Sequence, residues 1–304
     1  MITRRNLLAT SAATLLASLS IGPVSSAETA ARITTVFDAF GKPSDLKRGW
    51  GYASFIEYGG RRILFDAGGR LADFIFNINK LGIDLKKLDF VVISHRHNDH
   101  TAGLNYILRV NPGVRIYTPA EPAGFNAPIS ASNMKMIRRV VPSLPDEMRY
   151  FGGNPPQALR SDSAWPDANF APIREMTEVL PGFFLYSLQS DAPGSRELNE
   201  ISLAIKTPKG LVLVVGCSHP GIERIVEAAT KIDPTIYSIF GGFHLSDAPD
   251  QAVTEIVTAL HDKWKIERIA AGHCTGSFAF AEMIRIFGQK FDMPGIGSVI
   301  PLPT

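Results

Sequence analysis

Residues able to bind a metal cluster in one stretch, SHRHNDHTAGL, which begins at Ser94. They are His95, His97, Asp99 and His100. The 304 residues contain only seven histidines, so this clustering indicates a chemical role. In an extended segment His95 and His97 project to the same side, because they are two positions apart. Asp99 and His100 follow where the chain turns toward a helix, so a second pair of ligands can face the same cavity. Two such sets of N and O ligands are what a two-metal site requires.

Three further histidines lie at the ends of apolar segments: His219 in GCSHPG, His244 in GGFHL and His273 in GHCTG. A strand-like stretch precedes each of them and a helical pattern follows. His261 lies instead on the face of a predicted helix. Strands that end in histidine and lead into helices predict an α/β fold, with two mixed β-sheets packed together and helices outside.

Turn residues divide the rest of the chain into elements. Gly59 and Gly60 predict a hairpin between GYASFIEY and RRILF. Residues from about 119 to 178 break this rhythm, because they are rich in Pro, Gly, Ser and Asn. A connection this long favours a lid or binding loop over the site. In it Phe125, Trp165 and Phe170 are expected either to supply an apolar wall or to pack the insert onto the body.

The first 27 residues have the pattern of an export signal. They combine Arg4 and Arg5 with a diluted apolar stretch and small residues before a cleavage point expected after Ala27. The start TRRNLL is typical of a twin-arginine signal, with an ordinary Sec signal as the alternative. We therefore expect the export machinery as a partner and a periplasmic location. Residues 28–304 are predicted to form a single domain without a stable membrane anchor.

The charge balance excludes one class of partner. The chain has 31 basic and 29 acidic residues, and both arginines of the first 27 residues are lost with the signal, which leaves 29 against 29. A domain with no net charge lacks the cationic surface that nucleic acid requires. The expected partner is therefore a small-molecule substrate.

The H-x-H-x-D-H motif after a hydrophobic strand resembles the signature of the metallo-β-lactamase superfamily, and LFDAGG with Asp66 resembles its early Asp motif. The resemblance implies an αββα sandwich of two mixed β-sheets flanked by helices, with metals at one edge. It also implies that His95 and His97 bind one metal, and that a second is bound by the set Asp99, His100 and His273. Asp66 would then steady a histidine ligand, unless it is only a turn residue.

The chain departs from the common pattern at the first metal, because it has no histidine between His100 and His219. His219 is the best replacement ligand, and Glu200 is a weaker one. Cys217 stands where many relatives have a bridging Asp. It is expected to be a ligand or to lie directly behind one, unless it packs as a small apolar residue or forms a disulfide with Cys274.

The combination of SHRHNDHTAGL, GCSHPGI, GGFHL and HCTG is more narrowly similar to one branch of the superfamily. That branch includes the synthase that joins a dihydropterin methyl carbon to ribofuranosyl-aminobenzene phosphate. His244 belongs to the branch pattern, and we expect it to contact substrate or act as an acid or base, with a structural role as the alternative.

The resemblance implies a hydrolase with two divalent metal ions, zinc first and manganese or iron next. A metal-bridging hydroxide would attack a small ester, lactone, amide or phosphoester, and the catalytic residue Asp99 would orient it. Two alternatives stay open: a transferase similar to the synthase, and a non-catalytic periplasmic metal-binding protein. Export favours hydrolysis over pterin synthesis, which is cytoplasmic.

Overall fold

The computed structural model describes residues 30–120, 135, 137–139, 141–155, 165, 167–191, 198–292 and 295–304. The predicted signal at residues 1–27 lies outside these ranges, so twin-arginine export stays a prediction. None of the helices in the described ranges combines the length and hydropathy needed to cross a bilayer.

In chain order the described strands are β1 (Arg32–Phe37), β2 (Ala53–Tyr58), β3 (Arg61–Phe65), β4 (Phe90–Val92), β5 (Arg115–Pro119), β6 (Phe170–Ile173), β7 (Thr177–Leu180), β8 (Phe183–Gln189), β9 (Asn199–Thr207), β10 (Gly210–Val215), β11 (Ile236–Gly242), β12 (Arg268–Gly272) and β13 (Val299–Pro301). The described α-helices are α1 (Leu71–Lys80), α2 (Asn98–Thr101), α3 (Leu104–Val110), α4 (Ile222–Ala229), α5 (Asp250–Asp262) and α6 (Ser277–Phe287). Short 3₁₀ turns lie at Leu85–Lys87, Asp146–Met148, Tyr150–Gly153, His273–Thr275 and Gly288–Lys290.

The strands form two mixed sheets. The first has the order β13-β1-β2-β3-β4-β5-β6, and the second has the order β12-β11-β10-β9-β8-β7. From β3 to β6 neighbouring strands are parallel, as are β10, β11 and β12, whereas the other neighbours pair antiparallel. The predicted arrangement of two mixed sheets with helices outside is confirmed.

Three apolar layers hold this arrangement together. Between the sheets, Phe65 and Val92 of the first sheet pack with Leu203 and Val214 of the second. The outer face of the first sheet packs against α1 and α3, and the outer face of the second packs against α4, α5 and α6. Each sheet therefore buries both faces, which explains why its central strands are apolar almost throughout.

Parallel pairing brings the chemistry to one edge. Phe65 at the end of β3 pairs with Val92 at the end of β4. In the second sheet the ends of β10, β11 and β12 are aligned in the same way. Carboxyl ends of parallel strands point in one direction, so the loops that follow these five strands lie together, as ligand sites in α/β sheets do.

The insert at 119–178 is partly regular, because β6 and the first part of β7 lie within it. The indole Nε1 of Trp165 donates to Asn105 on α3, and Trp165 and Phe170 pack against the outer core of the first sheet. The expected apolar wall over the site is therefore wrong for these two residues, because they pack the insert onto the body. Phe125, the third residue of that prediction, lies outside the described residues.

We expect Phe65→Ala to lower the free energy of unfolding by about 3–5 kcal/mol, because Phe65 is fully buried between the sheets and its loss leaves a cavity. Urea denaturation followed by circular dichroism measures the change. Phe76→Ala on the exposed side of α1 is the control, with an expected loss below about 1 kcal/mol. Equal losses in both variants would contradict this account of the core.

Candidate metal centre

The loop after β4 carries the first histidine pair. The Nε2 of His95 lies 3.0 Å from the Nδ1 of His97, so both rings point at the same place, as their spacing predicts. His95 is fully buried, whereas His97 is exposed toward solvent. Burial, together with the neighbouring imidazoles, holds the pKa of His95 well below its usual value. His95 is therefore neutral and able to offer a lone pair.

Asp99 and His100 lie on α2, a helix of one turn that begins directly after His97. The Nε2 of His100 lies 3.2 Å from the Nε2 of His273, and the Oδ2 of Asp99 lies 3.5 Å from the same atom of His273. Burial opposes ionisation of Asp99, but His273 and His100 hold its pKa below the usual value. Asp99 is therefore a carboxylate that faces two imidazoles.

The second sheet supplies the remaining candidates from the loops after β10, β11 and β12. The ring of His219 lies 4.7 Å from that of His95 and 4.9 Å from that of His97, measured between centroids. The Sγ of Cys217 lies 3.2 Å from the Nε2 of His100. His244 is exposed, and its ring lies 4.3 Å from that of His219.

Within the described residues, four groups bring their ligand atoms within 4.8 Å of one another and could hold a metal ion. They are His95 with Cys217 and His219; His100 with Cys217 and His273; Cys217 with His244 and Cys274; and His95 with Asp99 and His100. Cys217 belongs to three of the four, so it lies between the other donors. The predicted ligands other than His97 therefore converge at one place. His97 belongs to none of the four groups, but its Nδ1 lies beside the Nε2 of His95.

Asp66 fixes the ligands of the first sheet. Its Oδ1 accepts from the backbone N–H of Ser94, and its Oδ2 accepts from the Ser94 hydroxyl and from the Nδ1 of His100, each at 2.7 Å. Burial opposes protonation of His100, but Asp66 raises its pKa to about 9 and keeps a proton on Nδ1. The Ser94 hydroxyl has one hydrogen, so the Nδ1 of His95, 2.9 Å away, donates to it. Asp66 is a positioning residue, not only a turn residue.

Glu200 does the same for the second sheet. Its Oε1 accepts from the backbone N–H groups of Cys217 and Ser218 at 2.8 Å. Its Oε2 accepts from the backbone N–H of His219 at 2.9 Å and from the Nδ1 of the same residue at 3.0 Å. Both oxygens are thus occupied. The sequence allowed Glu200 as an alternative ligand to His219. In the structure Glu200 instead positions His219 through hydrogen bonds.

Asp38 is a site residue that sequence reasoning missed. It lies just after β1, is fully buried, and accepts from the backbone N–H of His273 at 3.2 Å. Burial raises the pKa of Asp38 to about 6, against the pull of His273. The segment VFDAF ends a strand without any ligand-like spacing, so only an acidic residue at a strand end signalled it.

Four non-glycine residues at this edge have left-handed backbone conformations, with φ of 59° at Asp66, 62° at Ser218, 50° at His244 and 49° at His273. Such conformations cost free energy and persist where surrounding contacts impose them. Gly216 lets the loop after β10 lie directly against the loop after β4. Any larger residue there would collide with Ser94, because its Cβ would lie 2.1 Å from the Oγ of Ser94. The loops are therefore held in their conformations by contact across the sheets.

Cys217 and Cys274 are buried and free, so the expected alternative of a disulfide between them is not found. Both cysteines line the cavity of the site instead. Burial and the neighbouring Cys274 raise the pKa of Cys217 well above its usual value. Cys217 therefore gains its thiolate form when a cation is bound beside it.

The donors fit a metal. The Nε2 of His95 carries a lone pair, because its Nδ1 donates to Ser94. In His100 Asp66 holds the proton on Nδ1, so a bound cation would displace the proton that the raised pKa keeps on Nε2. Each of these Nε2 atoms lies close to another ring nitrogen, which a shared cation would explain. The Nδ1 of His273 is buried and has no hydrogen-bond partner among the described residues. Imidazole, carboxylate and thiol donors around one point suit zinc and similar divalent ions.

An open cavity of about 320 Å³ gives access to these donors. It is lined by Trp50, His97, Asn98, Asp99, Cys217, His219, His244, His273 and Cys274. The ring of Trp50 lies 4.9 Å from that of His273, at an angle of 52°. Trp50 was not predicted from the sequence, where RGWGY has the composition of an ordinary turn.

Two mixed sheets with helices on both outer faces, and a ligand cluster at their shared edge, define an αββα metal-binding fold. The sequence model of the metallo-β-lactamase superfamily matches residues 48–156. The 7,8-dihydropterin-6-methyl-4-(β-D-ribofuranosyl)-aminobenzene-5′-phosphate synthase of Methanocaldococcus jannaschii is 31% identical over 252 residues, which cover 79% of this chain and 84% of the synthase. The chain belongs to the metallo-β-lactamase superfamily, in the branch similar to this synthase.

Solved structures show the same fold. A metal-dependent hydrolase of the β-lactamase superfamily superposes with a TM-score of 0.67 at 23% identity, covering 90% of this chain and 100% of that one. The metallo-β-lactamase fold protein YhfI from Bacillus subtilis superposes with a TM-score of 0.57 at 11% identity, covering 90% and 99%. The expected αββα sandwich is confirmed.

We expect Glu200→Gln to weaken zinc binding by about 10- to 100-fold, because the amide cannot accept all four hydrogen bonds that position the Cys217–His219 loop. Competition against a chromogenic chelator measures the affinity. Glu178→Gln, at an exposed position on β7, is the matched control and should bind zinc like the unmodified protein. Unchanged affinity in Glu200→Gln would contradict the positioning role.

Proposed function

We propose that this protein is a hydrolase that uses two divalent cations, zinc by preference, on a small-molecule substrate. His95, His97 and His219 would hold the first ion. The second would be held by Asp99, His100 and His273, with Cys217 between the two sets. The observation that carries the proposal is the meeting of imidazole nitrogens, a carboxylate and a thiol from the three segments that follow β4, β10 and β12.

Such ions supply two things when bound: a water whose pKa is lowered toward neutrality, and polarisation of the substrate oxygen. The residues of this chain do the rest. Asp66 and Ser94 keep the ring protons of His100 and His95 on Nδ1, away from the cavity. Asp99 is ionised and partly exposed, so it can accept a hydrogen bond from a water and orient it.

His244 is placed to act as an acid. It is exposed at the cavity, and a hydrogen bond from its ring to Cys274 raises its pKa despite partial burial. A protonated His244 can donate to the leaving group of an ester, lactone, amide or phosphoester. The group of possible ligands that includes His244 joins it to Cys217 and Cys274 and not to His95, so His244 would reach the substrate rather than the first ion.

One specific observation favours a second candidate, because the relative at 31% identity is a synthase. A transfer reaction could use the same cation ligands, with a second organic molecule in place of water as the acceptor. The predicted export signal supports hydrolysis and a periplasmic site of action. The two candidates differ in the source of the group that enters the product.

We expect the zinc-loaded protein to turn over members of a panel of small esters, lactones and phosphodiesters, and to lose turnover when a chelator removes the zinc. His97→Ala should lower kcat/KM by more than about 100-fold. Mutation of residues that only hydrogen-bond to a metal ligand already lowers metal affinity or activity by about 10- to 100-fold, and His97 would be a ligand itself. His261→Ala, on the far end of α5, is the matched control and should keep both zinc and rate.

The source of oxygen separates the candidates. In ¹⁸O-labelled water a hydrolase incorporates the label into the acid product, whereas transfer to an organic acceptor leaves that product unlabelled. Full turnover by a zinc-free His97→Ala protein would refute the proposed function.

A further inference from the structure

We propose that Trp50 forms a subsite for a planar aromatic ring of the substrate, beside the cavity that collects the metal ligands. The inference rests on the proposed function for the location of the reacting group. It adds the chemical class of the part of the substrate that does not react: an aryl or heteroaryl ring attached to the reacting group directly or through a short linker.

Trp50 differs from the other tryptophans of the chain. It is 60% exposed, although a large apolar side chain at a cavity mouth gains free energy from being covered. Trp165 and Trp264 are half-buried and donate their Nε1 hydrogens to Asn105 and Glu223. No such bond holds the indole of Trp50 within the described part of the chain. Its ring is therefore available to a ligand.

The backbone of Trp50 is fixed by close contacts. A Cβ on Gly69 would lie 1.9 Å from the carbonyl oxygen of Trp50, and a Cβ on Gly51 would lie 2.4 Å from that of Asp99. Gly51 has a φ of +136°, which side-chain-bearing residues rarely adopt. The next residue, Tyr52, donates its N–H to the carbonyl of Asp99 at 3.2 Å. The exposed indole thus stands on the same rigid support as a proposed ligand, which preorganises it for binding.

The position of the indole sets the length of the substrate. Its ring lies 4.9 Å from that of His273, which in turn lies 3.5 Å from the carboxylate of Asp99. A flat ring stacked on Trp50 would therefore hold its substituent over the second set of ligands. Apart from Cys217 and Cys274, the other residues of the cavity lining carry polar groups, with Asn98 and His244 among them. A ring with polar edges fits this combination of one aromatic wall and several hydrogen-bonding groups.

Stacking also predicts a preference that burial alone does not. Aromatic pairs gain attraction beyond the area they bury, because the electron-rich face of one ring meets the electron-poor edge of another. A saturated ring of the same size buries similar area without that gain. Comparison of an aromatic ring with its saturated counterpart therefore isolates the role of Trp50.

The test measures Kd by isothermal titration calorimetry for phenylphosphonate and cyclohexylphosphonate with the zinc-loaded protein. We expect phenylphosphonate to bind about fivefold more tightly. Trp50→Ala should remove this preference, and Trp50→Phe should keep most of it. Phe76→Ala, which removes an exposed aromatic ring outside the cavity, should leave the ratio unchanged.

An unchanged ratio in Trp50→Ala, or no binding of phenylphosphonate to the zinc-loaded protein, would overturn the subsite. The result also separates the two proposals. If phenylphosphonate is preferred only when Trp50 is present, and the protein hydrolyses nothing in the panel, the subsite is supported and the hydrolase proposal fails. If the protein hydrolyses panel members but shows no such preference, the hydrolase proposal is supported and the subsite fails.

Discussion

Three buried carboxylates hold the candidate site together. Asp38, Asp66 and Glu200 are each excluded from water, and a buried carboxylate is costly unless it accepts several hydrogen bonds. The donors come from the loops that carry the candidate ligands: His273 for Asp38, His100 and the Ser94 group for Asp66, and the Cys217–His219 turn for Glu200. The loops can satisfy these carboxylates only in one conformation. The bonds of Asp66 and Glu200 also fix which ring nitrogen of His100 and of His219 faces the cavity.

The sheets make this arrangement possible. Parallel strands deliver the loops after β3 and β4 to one edge of the first sheet, and the loops after β10, β11 and β12 to the matching edge of the second. The halves meet where Gly216 lies against Ser94 and where the N–H of Ile201 donates to the Ser94 carbonyl. Left-handed backbone conformations at residues such as Ser218 and His273 persist there, because the packing of both sheets imposes them.

Local patterns predicted much of this, and long-range contacts account for what they did not predict. The spacing of His95 and His97 was enough to predict that their rings lie together. Apolar segments that are each followed by a helical pattern were enough to predict the two mixed sheets. Glu200 was considered as a ligand, because the sequence cannot reveal that both its oxygens are occupied. Asp38 could not be found, since its partner His273 is 235 residues away along the chain. Trp50 has no local signal either, because only the fold brings its turn against α2.

The candidate site has a closed side and an open side, and this asymmetry bears on its chemistry. His95, His100 and His273 are buried, so the donors on that side are set by protein contacts alone. His97 and His244 are exposed, and Asp99 is half-exposed between the two sides. Whatever reacts must therefore approach past the exposed groups, while the buried ones stay fixed. Hydrolysis and group transfer can share the buried side completely. The two reactions differ in what enters beside the substrate, and it enters on the open side, which Trp50, Asn98 and His244 line.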